Sequence, residues 1–194
     1  MNGYQLQVNN NYYRIVDCEF YYSSKKHPDP YVHGHERQKE SLGEWYFHGS
    51  GLDITLGNEG AHGGILIRGV ARVPKVGIPS REDAIIGPLN VCTEIFKSIG
   101  NVVLTGAMHF GMIDIGIDAL AANMKTARVF AVPRIGLNKS KDSRTKFHDR
   151  PYRFITFLHL PHKEADKVKK YFTREIKNPI PMHEYKEYYS GQRW

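Results

Sequence analysis

The 194-residue chain is 41% hydrophobic and 24% charged, shares that suit one globular domain and exclude disorder by composition. It has no run near the roughly 18 apolar residues of a membrane-spanning helix, and Met1 to Asn11 lacks the basic and apolar regions of a secretory signal. A net charge of +7 and an isoelectric point near 9.3 favour encounter with phosphate backbones. The expectation is a monomeric cytoplasmic protein, nucleoid-associated in a bacterium, with no membrane association.

Tyr13 to Tyr22 is rich in β-branched and aromatic residues and predicts a strand with one buried face. Ser23 to Ser41, rich in His, Pro and Gly, predicts a long loop of the kind that carries function. Trp45 to His48 and Leu52 to Leu56 predict short strands joined by the turn His48-Gly49-Ser50-Gly51. Gly64 to Val73 is the most apolar strand and carries Arg68 in its middle. Pro88 to Ile99 has Leu89, Cys92, Ile95, Phe96 and Ile99 at helical spacing, with Pro88 in the first turn and Gly100 as the C-terminal stop.

The stretch from Gly106 to Met124 is ambiguous, with helix expected only from Asp118. Arg128 to Val132 and Tyr152 to His159 predict strands on either side of a basic loop. Pro161 opens a last helix with Ala165, Val168, Phe172 and Ile176 on one stripe, and the Pro- and Tyr-rich tail from Asn178 has no assignment. Helices and strands mix without βαβ alternation, which predicts an α+β domain around a curved, largely antiparallel sheet with flanking helices. Residues 1–160 form its body, with 161–194 as a helix and tail packed on it. Cys18 and Cys92 make no C-x-x-C pair and read as reduced core residues, a disulfide between them being the alternative.

Glu19 sits in an apolar strand, where desolvation would raise its pKa toward the range useful for a general base. The other reading turns Glu19 to solvent while Cys18 and Phe20 point inward. Arg68 either meets a buried carboxylate or phosphate, or snorkels outward from an edge. Between Tyr21 and His48, aromatic and basic side chains interleave as in surfaces that stack bases and pair phosphates, although core packing also explains Trp45 and Phe47. His27, His33 and His35 could instead serve as metal ligands, on the weak evidence of an H-x-H pair. Arg134 to Arg153 holds seven cations, either a phosphate-contacting rim or a solvated loop.

Taken in order, these segments resemble the methylpurine (alkyladenine) DNA glycosylase family. The family strand V-E-T-E-A-Y is similar to V-D-C-E-F-Y-Y at Val16 to Tyr22, and its L-L-R-A strand to I-L-I-R-G around Arg68. Its G-P-x-x-L-C-x-A-L helix resembles Gly87 to Phe96. Its A-R-V-G-x loop and K-P-L-R-F-Y-V strand resemble Arg134-Ile135-Gly136 and Arg150 to Thr156. The last helix and tail lie outside the match.

The resemblance implies catalysis by Glu19 with Arg68 beside it, and a base held by Tyr21, His33, Trp45 and Asp53. It implies DNA contacts from His48, Arg134, Lys139, Lys141, Arg144 and Arg150, with no metal or other cofactor. The family's tyrosine-rich strand corresponds to Leu42 to Gly49, where Trp45 stacks and His48 wedges, or Tyr46 substitutes on a shift of one residue. Asp53 replaces a family asparagine, which alters the base edge accepted. The implied activity is metal-free hydrolysis of the N-glycosidic bond of a damaged purine flipped from duplex DNA. The rival readings are a catalytically altered nucleic-acid-binding module of the same fold, and a metal-dependent small-molecule hydrolase built on the His27, His33 and His35 loop.

Overall fold

In the computed structural model, the described residues are 1, 3–73, 79–101, 108–115, 127–142, 144–166 and 168. Strand β2 (Asn11–Ser24), the run N-Y-Y-R-I-V-D-C-E-F-Y-Y-S-S, is the backbone of the fold because its aromatic and β-branched residues suit a pleated, half-buried surface. Around it in chain order come β1 (Tyr4–Val8), α1 (Glu36–Glu40), β3 (Leu42–His48), β4 (Gly51–Leu56), β5 (Ala61–Arg72) and β6 (Ala84–Ile86). They are followed by α2 (Pro88–Ile99), β7 (Phe110–Asp114), β8 (Phe130–Val132) and β9 (Arg153–Ile155). Among the described residues the nine strands form one curled sheet in the order β3-β4-β5-β2-β1-β7, with β6 on β5 and β9 on both β2 and β8. Every pairing is antiparallel. The protein is an α+β domain, and no helix among the described residues is long and apolar enough to cross a membrane.

One edge of β2 is shared: β1 takes Asn11 to Tyr13, and β9 takes Asp17 to Glu19. On the other edge the ladder to β5 is irregular, passing from Ile15↔Val70 to Asp17↔Gly69 and then to Cys18↔Ile67. Val16 and Arg68 are left without partners in that ladder, and the alternation of side chains changes phase there. Before the irregularity Tyr13 and Ile15 face the main core; after it Cys18 and Phe20 do. Val16 joins a second core on the opposite face with Ala71, Ala127, Phe157 and Leu160.

Helix α2 matches its expected limits. Pro88 occupies the first turn, and Gly100 closes it at φ 68°, a left-handed conformation that glycine adopts without steric cost. The buried face differs, however. Val91, Cys92 and Ile95 enter the core, whereas Leu89 and Phe96 are each 57% exposed. Three contiguous apolar positions on one side already fill the space over β4 and β5, so the flanks stay outside, with Phe96 against the ring of Phe47 at 5.3 Å.

Other differences follow from short or polar segments. The polar N-terminal stretch contains β1, and the expected loop from Ser23 to Ser41 holds the end of β2 and the five-residue α1, whose N-terminus is capped by His35. The strand expected over Tyr152 to His159 shortens to β9, because the chain turns at Leu158 to Leu160. Past Pro161, Ala165 and Asp166 are helical and Val168 is buried. Phe172, Ile176 and the tail from Asn178 lie outside the described residues, as does the segment beginning at Asp118. Cys18 and Cys92 are free and buried; burial pushes the Cys18 thiol up to about 12, so it stays protonated and inert.

Asp17 and Arg153 form a bidentate pair at 2.9 and 2.7 Å with no exposed surface on either side chain. Burial pushes the Asp17 carboxyl up, but the neighbouring His162 imidazole and the Arg153 guanidinium outweigh it and hold the group below its usual value. His162 Nδ1 stands 4.0 Å from Asp17 Oδ2. The unfolded chain binds this proton more readily than the folded one. The pair's contribution is therefore complete above about pH 4 and is lost as pH falls through the lower folded value. Asp17→Ala, which strands the Arg153 charge, is expected to cost about 3–5 kcal/mol in urea denaturation at pH 7. The deficit should narrow on acidification below pH 4.

Candidate active site

The phase change in β2 sends Glu19 and Tyr21 away from the main core and toward a cavity of about 700 Å³, within the range of small-ligand pockets. Its walls include Tyr21, Leu66 and Arg68 from the central strands, and Gln38, His48 and Asp53 from α1, β3 and β4. The loop residues His33, Ile135, Lys141 and Lys163 also line it.

Glu19 lies just behind this wall with 0% exposure. Oε2 accepts from the Tyr21 hydroxyl at 2.7 Å and from Arg68 Nη1 at 3.1 Å, and Oε1 accepts from the Ile135 backbone N–H at 3.0 Å. Three donors from three segments compensate a charge that burial would otherwise expel. Burial first, and then the adjacent Glu19 charge, push the Tyr21 phenol far above the ordinary tyrosine range. The phenol therefore keeps its proton and donates it to Glu19. Of the two open readings of Glu19, the solvent-facing one fails and the desolvated one agrees with its burial: Cys18 and Phe20 point to the core, and Glu19 is covered on the other face by Ile135 and its loop. Arg68 is 8% exposed and pairs with the carboxylate instead of snorkelling outward.

Asp53 faces the same cavity. Its Oδ2 accepts from Gln38 Nε2 at 2.8 Å, and His48 Nε2 lies 3.2 Å from its Oδ1. The carboxylate reaches across β5 over Gly64, where a Cβ would stand 2.7 Å from Oδ2; a side chain there would displace Asp53. Gln38 and the Ile135 N–H were not singled out from sequence. A glutamine in a polar helix and a backbone amide carry no pattern that would reveal them.

Several expected roles are displaced. Trp45 does not line the cavity: it pairs with Ile54, packs on the main core and tilts against Phe110 at 4.7 Å. Strand alternation places Tyr46, opposite Asp53, on the cavity side, where its ring stacks between His35 and His48 at 5.0 Å each. His48 is no protruding wedge, because its side chain is 14% exposed and built into the wall. His33 is exposed at the cavity lip.

Among the three loop histidines, His27 is committed to the Tyr22 carbonyl and the Tyr152 hydroxyl and His35 to the cap of α1. They do not converge, and among the described residues no cluster of three His, Cys, Asp or Glu has metal-site geometry.

The cations of the basic loop also divide. Arg134 is a strut with no exposed side-chain surface, joined to Asp29 at 2.7 and 3.2 Å and lying 4.5 Å from the centre of the Tyr21 ring. It cannot reach a phosphate, since the buried Asp29 carboxylate holds it. Arg150 is half-buried on the face of Phe147 at 3.8 Å. Lys139, Lys141 and Arg144 are exposed, on a loop organised by Asp142, which accepts from the Thr145 amide and hydroxyl and from the His148 amide. Arg134→Met is expected to cost about 3–5 kcal/mol in urea denaturation, against about 0.5 kcal/mol or less for Lys139→Ala or Arg144→Ala.

No family model matches the chain. The chain is similar to the uncharacterized protein L759 of Acanthamoeba polyphaga mimivirus, 29% identical over 188 residues that cover 80% of this chain and 82% of that protein.

Proposed function

We propose that the protein is a monofunctional DNA glycosylase that hydrolyses the N-glycosidic bond of a flipped, damaged purine. The observation that carries this reading is the Glu19 carboxylate held by Tyr21, Arg68 and the Ile135 amide at the back of a cavity large enough for a nucleobase. The exposed cations Lys139, Lys141 and Arg144 sit on the loop that forms one lip of that cavity and would take phosphates of a duplex. Extruding the base into the cavity sets its ring against Tyr21. Glu19 then accepts a proton from water as the water oxygen bonds to the anomeric carbon. The carbon–nitrogen bond breaks and its electron pair leaves with the base. Arg68 aims the carboxylate through its 3.1 Å contact and acts as a positioning residue. Damaged purines are favoured because they leave more easily.

One observation favours a second reading. Glu19 has no exposed surface and three donors already, so a reacting water would have to displace one of them. A base-binding module of the same architecture, without turnover, accounts for that equally. The His27, His33 and His35 hydrolase would need three side chains that do not converge: His27 is held by Tyr22 and Tyr152, His35 caps α1, and His33 is exposed at the lip.

Duplexes carrying hypoxanthine, ethenoadenine or methylated purines, incubated with the wild type and with Glu19→Gln, separate the readings. Abasic sites from the wild type, reduced at least about a hundredfold in the variant, are the expected result; binding by both without base release leaves the binding module. Replacing Lys139, Lys141 and Arg144 with alanine together should lower the slope of log K against log salt by up to about 0.9 for each lost phosphate contact, with the fold unchanged by circular dichroism.

A further inference from the structure

Three polar atoms on the cavity wall are buried and lack a hydrogen-bond partner: Gln38 Oε1, Asp53 Oδ1 and His48 Nε2. Gln38 and Asp53 are each 3% exposed, and all three residues line the cavity. Buried polar groups are nearly always satisfied, so a cluster of three short of partners at one wall marks a place where a ligand completes the bonding.

The chemistry of each atom follows from what its neighbour holds. Asp53 Oδ2 can only accept, so the Gln38 group that faces it at 2.8 Å is the amide NH2, which leaves Oε1 as a free acceptor. The Ser50 backbone N–H donates to His48 Nδ1 at 3.2 Å. That nitrogen must carry its lone pair, and the ring proton sits on Nε2, a donor. His48 Nε2 stands 3.2 Å from Asp53 Oδ1 without the alignment of a hydrogen bond, so both remain open. Asp53 touches His48 through one oxygen and Gln38 through the other. The wall therefore reads donor, acceptor, acceptor, in the order His48, Asp53, Gln38.

We infer that this wall selects a guanine-type base. Its carbonyl would accept from His48, its ring N–H would donate to Asp53, and its exocyclic amino group would donate to Gln38. The inference rests on the reading of the cavity as a base pocket. A hypoxanthine-type base lacks the amino group and leaves Gln38 Oε1 unsatisfied. An adenine-type base sets its amino donor against the His48 donor and its ring acceptor against the Asp53 carboxylate, and is rejected at both.

Titration calorimetry of the wild-type chain with 2′-deoxyguanosine, 2′-deoxyinosine and 2′-deoxyadenosine at one salt concentration tests this without any variant. Deoxyguanosine is expected to bind about tenfold more tightly than deoxyinosine, with deoxyadenosine weakest. Gln38→Met, which keeps the length of the side chain and removes Oε1 together with the Nε2 donor to Asp53, should abolish the preference for deoxyguanosine over deoxyinosine, measured in the same variant, with the circular dichroism spectrum retained. Equal affinity for deoxyguanosine and deoxyinosine, or no binding of any nucleoside, overturns the assignment. The outcome separates from that of the duplex assay. Abasic sites formed without a guanosine preference sink the wall and spare the glycosylase; a guanosine preference without abasic sites does the reverse.

Discussion

Asp17, Glu19 and Asp29 have no contact with solvent through their side chains, or almost none, and carboxylates in that position must find cations or amide donors or not be there at all. Their partners come from far along the chain. Arg153 answers Asp17, Arg134 answers Asp29, and Arg68 with the Ile135 amide answers Glu19. The requirement to neutralise these groups therefore pins the 134–155 segment against β2 and its following loop. The same requirement builds the cavity, since Arg134 lies along the Tyr21 ring and Ile135 is both a donor to Glu19 and part of the lining. Fold and site are one network of charges, and a substitution meant to probe one will disturb the other unless it preserves the pairing.

Much of the architecture was legible from sequence where local chemistry sets it. The β3–β4 hairpin announces itself through His48-Gly49-Ser50-Gly51, β5 through its apolar run, and α2 through Pro88 and Gly100. β1 escaped because Y-Q-L-Q-V hides two core residues, Leu6 and Val8, among polar neighbours. α1 is shorter than two helical turns and has one buried residue, Gln38, too little for any periodicity to show. β7, in a glycine-containing stretch, takes its place by pairing with β1, a partner a hundred residues away.

The site was legible in a different way. Glu19 and Arg68 stand out as charges inside apolar strands, Tyr21 and Asp53 were reached through the order of segments along the chain, and the four gather on one wall system. What failed was phase and partnership. Trp45 and Tyr46 are adjacent letters on opposite faces of β3, and sequence alone does not say which face looks inward. Arg134 and Lys139 are equivalent as charges in a basic loop; only the presence of Asp29, 105 residues earlier, makes the first a buried strut and leaves the second in solvent.

The irregular ladder around Val16 and Arg68 gives β2 two reading frames. Upstream of it, odd-numbered residues such as Tyr13 and Ile15 belong to the apolar core; downstream, even-numbered ones such as Cys18 and Phe20 do. A chain that lost one residue between Ile15 and Cys18 would keep every letter of C-E-F-Y-Y. It would nonetheless deliver Cys18 and Phe20 to the cavity and drive Glu19 into hydrocarbon. Kinship in this strand is therefore better judged by the count of residues from Ile15 to Glu19 than by the identity of the residues themselves.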